Sequence, residues 1–213
     1  SMKSALSLLL LTAGLFASGK SPKTLAPAAT LATAAAATPA ATDTTALLNK
    51  LLQPQFPKLK VHRFKAGDLN ADGRPDLIVV AEQACAASAG MPNSQCRTTL
   101  LVLNEGWPKL RVAAANTDVV GCSECGGAGV GDPLQSIVIK GNYFSVESLY
   151  GACSKTHFVV TFHYDKTRRD WLLHRFGRVD YACRDIAGST AKEVRIEGEQ
   201  YGKVSFQKFS TGY

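Results

Sequence analysis

Phe158-Val159-Val160-Thr161-Phe162-His163-Tyr164, then Asp165-Lys166-Thr167-Arg168-Arg169-Asp170, then Trp171-Leu172-Leu173, is the stretch that decides the fold. Its first part is aromatic and β-branched and alternates in character, as a strand with two different faces does. The charged middle turns the chain and the apolar third part returns, which predicts a hairpin. Working outward, similar runs separated by turn residues lie at 59–64, 77–82, 98–103, 109–114, 134–139, 143–149, 156–164, 170–177, 192–197 and 202–208. Strands at this spacing predict an all-β fold, an antiparallel sandwich or propeller-like sheet domain. One helix is expected at Thr44–Leu52, with a threonine cap and an end before Pro54.

Between the first two strands lies Asp68-Leu69-Asn70-Ala71-Asp72-Gly73-Arg74-Pro75-Asp76. Four oxygen-bearing side chains, Asp68, Asn70, Asp72 and Asp76, occupy positions 1, 3, 5 and 9, and Gly73 at position 6 permits a sharp reversal. The carbonyl of Arg74 would add another oxygen. A hard cation takes 6–8 oxygens, so this spacing predicts a calcium loop. An EF-hand would want glutamate at position 12, where Val79 stands, and the loop leads into Leu77-Ile78-Val79-Val80, a buried strand rather than a helix. Gly67 to Gly73 resembles the calcium loops of FG-GAP repeats. That resemblance implies a calcium-dependent adhesion or scaffold module, although no second copy of the motif occurs, as a full propeller would require.

The N-terminus predicts export. Lys3, the apolar run from Ala5 to Leu11 and the small residues that follow read as a signal peptide over 1–20, behind an appended Ser1. Phe16-Ala17-Ser18-Gly19 resembles a lipoprotein signal just ahead of its lipid-bearing cysteine, but Lys20 stands there. Either the protein is soluble in the periplasm or Lys20 replaces a cysteine that would carry a membrane anchor. Residues 21–42, almost all Ala, Thr and Pro, hold too few large hydrophobes to fold and read as a tether. Residues 43–213 then form a single β-rich domain. The net charge of +7 includes Lys3, Lys20 and Lys23, leaving 21 basic against 17 acidic groups in that domain. No basic helix or nucleic-acid-binding signature appears, so nucleic acid is not an expected partner.

Six cysteines in an exported chain imply disulfides, with fifteen connectivities open. Cys85 and Cys96 flank a polar excursion between two strands and are expected to clip its neck. Cys122 and Cys125 can close on each other, which leaves Cys153 with Cys183. A redox CxxC should open a helix, but Gly126-Gly127-Ala128-Gly129 follows this one. A zinc site would need a second pair at suitable spacing. The glycines from Gly121 to Gly131 match no phosphate-binding pattern and are read as allowing close backbone approach.

Catalysis is not expected. No HExxH, GxSxG or SxxK motif is present, and His62, His157, His163 and His174 lie in strand-like runs. Four motifs in order carry a second resemblance: Gly67 to Gly73, Val120 to Gly127, Gly131 to Ile137, and Leu149-Tyr150-Gly151. Together they are similar to periplasmic lipoproteins of proteobacteria that include immunity proteins of the bacterium-killing type IV secretion system of Xanthomonas. That likeness spans roughly 55–180. It implies a calcium-binding fold similar to periplasmic lysozyme inhibitors, whose partner is a lysozyme-like, peptidoglycan-degrading effector blocked by an inserted loop. The loop it points to is Tyr150-Gly151-Ala152-Cys153-Ser154-Lys155. Tyr150 and Gly151 would anchor the contact, and Ser154 and Lys155 would reach an acid pair.

Overall fold

The computed structural model describes residues 41–86, 94–183, 192–195 and 202–211. The expected signal segment and all but the end of the tether lie outside them. Every described residue belongs to one compact unit.

The chain forms two antiparallel sheets, each built from consecutive strands, and the expected all-β class is what it adopts. The first sheet contains β1 (Lys60–Gly67), β2 (Asp76–Ala84), β3 (Gln95–Asn104) and β4 (Leu110–Asn116) in that order. The second contains β5 (Leu134–Lys140), β6 (Tyr143–Gly151), β7 (Lys155–Asp165), β8 (Asp170–Tyr181) and the short β9 (Lys192–Arg195). The opening hairpin is β7–β8, with Tyr164 opposite Trp171. Its turn forms because the Asp165 carboxylate accepts the N–H groups of Thr167 and Arg168 at 2.8 and 3.1 Å.

The run Leu77-Ile78-Val79-Val80-Ala81 is apolar throughout because the first sheet is covered on both faces. Ile78, Val80 and Leu101 face the second sheet, where Phe144, Val160, Phe162 and Trp171 complete a shared core. Leu77, Val79 and Ala81 face the other way, into a second core closed by Leu48 and Leu52 of the helix. Alternate side chains of one strand thus serve two cores. Each fully buried aliphatic or aromatic side chain contributes about 1.5–3 kcal/mol over an exposed one.

The helix, α1 (Ala41–Leu52), begins before the expected threonine cap, so Thr44 is a buried helical residue. Asp43 in its first turn complements the helix dipole. Asn49 accepts the Val61 N–H at 2.9 Å and thereby ties the helix to β1.

The strand expected at 202–208 is replaced by a 3-10 turn at Phe206–Lys208 and a single bridge between Leu172 and Ser205. Three-residue periodicity brings Phe206 and Phe209 to one side, and both rings enter the shared core. A strand would send them to opposite faces. Asn116 holds this turn by donating to the carbonyls of Phe206 and Phe209 at 2.7 and 2.8 Å.

The three expected disulfides, Cys85–Cys96, Cys122–Cys125 and Cys153–Cys183, are all present. The first joins the facing ends of β2 and β3, and the last joins the β6–β7 turn to the residues just past β8.

Candidate partner-binding hairpin and calcium loop

The loop between β1 and β2 curls around its own carboxylates. Asp68 accepts the N–H groups of Asn70, Asp72 and Gly73 at 3.3, 3.2 and 2.9 Å. Asn70 accepts from the Asp72 amide at 3.0 Å and donates to its carboxylate at 3.1 Å. Gly73 has φ +83°, the conformation its position predicts. The Arg74 side chain folds back onto Asp72 at 2.7 Å, and this hydrogen bond holds the Asp72 carboxyl below its ordinary range.

Asp76 behaves differently from the other three. It is fully buried and accepts the N–H groups of Leu69 and Asn104 at 3.0 and 2.9 Å, pinning the loop to the end of β3. Burial pushes its carboxyl up to about 6 against the pull of these two donors, and the charges of Asp72 and Asp68 push the same way. The Leu69 carbonyl accepts the Trp171 indole N–H at 2.9 Å, so the loop is fastened to the second sheet as well. Asp68, Asn70 and Asp72 therefore come together, whereas Asp76 turns inward. Among the described residues, no group of three or more His, Cys, Asp or Glu side chains is arranged to hold a metal ion.

The candidate hairpin is the β6–β7 turn. Ala152, Cys153 and Ser154 are exposed at its tip, and Gly151 and Lys155 pair at its base. Gly151 has φ +122°, and a Cβ there would lie against the Ser154 carbonyl, so only glycine fits. Tyr150 does not project from the tip. It continues the inward-facing series Phe144, Val146 and Ser148, packs edge-on against Phe158 with ring centroids 5.8 Å apart, and receives the Gly121 N–H at 3.3 Å. Burial raises its hydroxyl above the usual range. The ring forms part of the wall of a cavity of about 500 Å³. Tyr150 thus supports the hairpin from beneath.

The tip has three braces. The Cys153–Cys183 disulfide ties it to the end of β8. The Gly151 N–H donates to the Gly126 carbonyl at 2.7 Å. Ideal Cβ atoms at Gly127 and Gly129 would lie 2.8 and 2.7 Å from the carbonyls of Gly151 and Ala152, so the two main chains are in direct contact. This is the close approach that the glycine cluster predicts.

Sequence reading missed a charged cluster on β1–β3. Arg97, with its side chain 1% exposed, makes a two-pronged contact with Asp132 at 2.5 and 2.8 Å. The hydrogen bond from Arg97 keeps the Asp132 carboxyl below its ordinary range. His62 lies 3.4 Å from Glu82 and 3.8 Å from Asp132, and Glu82 lies 3.6 Å from Arg97 Nε. The signal was an arginine among the inward-facing residues of an apolar strand, but its partner is 35 residues away. The other histidines contact neighbours on the second sheet: His157 with Glu147 at 3.5 Å, and His163 and His174 with the ring of Tyr143.

Compared with protein-family models, curated proteins and solved structures, the chain matches none.

Proposed function

We propose that this is an exported, non-catalytic immunity protein of the periplasm, which binds a lysozyme-like, peptidoglycan-degrading effector and blocks its cleft with the hairpin tip at Gly151–Lys155. The single observation that carries this reading is the stapled tip. A short, exposed turn held by a disulfide and by main-chain contacts has little freedom left to lose on binding, and preorganisation of this kind raises affinity. Ser154 at the exposed tip and Lys155 at its base would supply a hydroxyl and an ammonium, the groups suited to an acidic pair in a cleft. Tyr150 and Gly151 set the direction of approach from below. With Lys20 replaced by cysteine, the tether would leave the domain anchored to a membrane by lipid.

The test is lysis of purified peptidoglycan by a lysozyme-like effector encoded beside this chain. Lysis should stop at an equimolar amount of the protein, and Lys155→Glu should weaken inhibition roughly tenfold, as expected for a contact charge reversed at an interface. No effect on any such effector would sink the proposal.

Calcium belongs to the same proposal as a structural ion held by Asp68, Asn70, Asp72 and the Arg74 carbonyl, with Asp76 behind them. The charges of Asp68 and Asp72 add to the burial that raises the Asp76 carboxyl, and a divalent cation in the loop would offset them. The midpoint of thermal unfolding should rise with calcium and fall with chelator, because a ligand bound only by the native state stabilises it. Asp72→Ala should abolish that response, and a variant that still responds would count against the site. A calcium-dependent adhesion module would instead lose a surface ligand on chelation and leave effector activity untouched.

A further inference from the structure

Toward the β6–β7 turn, the inner face of the second sheet and residues 117–121 enclose between them the cavity of about 500 Å³ whose wall includes Tyr150. The segment opposite the sheet is fixed in place. The Asn116 side-chain carbonyl accepts the N–H groups of Asp118 and Val119 at 2.6 and 2.9 Å, and the Gly121 N–H reaches the Tyr150 oxygen. Close-packed interiors leave few voids larger than a water molecule, so a preformed space of this size has the dimensions of a ligand site.

The lining defines what fits. Val120, Val146, Val160 and Phe176 are buried and apolar. Phe158 stacks on Phe176 with ring centroids 5.6 Å apart, and Tyr150 meets Phe158 edge-on, so a flat ring in the cavity would extend an aromatic series. Polar groups are few. The Ser148 hydroxyl lies beside that of Tyr150, and the two can donate to one oxygen acceptor. Arg178 is already paired with Asp180 at 2.8 Å, and Asp118 is exposed to water, so an ion gains little by entering.

We propose that this cavity binds a small, uncharged molecule with an aromatic body and one oxygen acceptor, its ring against Phe158 and Phe176 and its acceptor toward Tyr150 and Ser148. The proposal does not rest on the hairpin reading, because residues 151–155 take no part in the lining.

The probe that tests this is Prodan, a neutral naphthyl ketone whose emission moves to the blue when it leaves water. Titrated with the full chain, it should bind saturably at one site per chain with blue-shifted emission. Val146→Phe puts a ring into the cavity and should weaken binding roughly tenfold or more, because the occupied space must be cleared or overpacked. Tyr150→Phe keeps the packing on Phe158 without the hydroxyl and should weaken binding roughly fivefold, the scale of one hydrogen bond. Trp107→Ala removes the exposed indole of the β3–β4 turn and should change nothing. The proposal is overturned if no saturable binding occurs or if Val146→Phe binds like the parent. It is equally overturned if Trp107→Ala abolishes binding, which would place the dye on exposed aromatic surface. Unchanged affinity in Tyr150→Phe overturns the assigned acceptor contact. Should Val146→Phe not fold, Thr156→Trp, at a half-buried position in the same lining, decides by the same outcome.

Discussion

Phe162→Ala is expected to lose about 3–5 kcal/mol of folding stability, the usual cost of truncating a fully buried aromatic ring. Phe162 is 0% exposed. It stacks on Phe144 at 5.2 Å and meets Phe206 and Phe209 edge-on at 5.2 and 5.4 Å. The ring therefore joins the second sheet to the C-terminal 3-10 turn, and its removal opens a void that backbones fixed by neighbouring strands cannot close. For a domain of this size the midpoint should fall by roughly 10 °C or more. His174→Ala, on the adjacent strand β8 but exposed, should cost only about 0.5 kcal/mol. A loss below about 1 kcal/mol for Phe162→Ala, measured by denaturant unfolding, would mean that the two sheets do not close around this ring.

The period-2 pattern made this core legible in part. Phe158 to Tyr164 announces a strand by itself, and Leu77 to Val80 announces a buried one. Neither run says that Ile78 and Val79 enter different cores, because that depends on where the helix and the second sheet come to rest. The stretch at 202–208 misled for a related reason. Val204, Phe206 and Lys208 alternate as a strand would, but Phe206 and Phe209 share the three-residue spacing of a tight turn, and burial of both rings decides between the two patterns.

The site was legible where its physics is local. Neck geometry was enough to place Cys85 and Cys96, and the glycine cluster was enough to expect main-chain contact. Arg97 and Asp132 meet only because β3 passes beneath the root of the glycine loop, which no spacing encodes. For Tyr150 the signal is local as well: counting by twos from Phe144 along β6 places its ring on the inner face.

The double variant Cys153→Ser/Cys183→Ser is expected to lose about 3–4 kcal/mol, because a cross-link over 30 residues removes that much chain freedom from the unfolded state in the loop-closure account. Both cysteines are exposed, so little core packing is lost with them. The functional consequence differs in kind from that of Phe162→Ala, although the stability costs are similar. Without the disulfide, the tip keeps the Gly126 hydrogen bond and the glycine contacts but loses its tie to the end of β8. Inhibition of the effector should then weaken roughly tenfold when measured at a temperature where the variant is folded, reflecting the ordering that binding must now supply. Phe162→Ala, folded at the same temperature, should inhibit like the parent, because its cavity lies seven residues up β7 from Lys155. Equal weakening in both variants would show that affinity follows global stability. Unchanged affinity in the serine variant would show that the staple serves folding alone, and that the exposed tip owes its shape to the glycine loop beneath it.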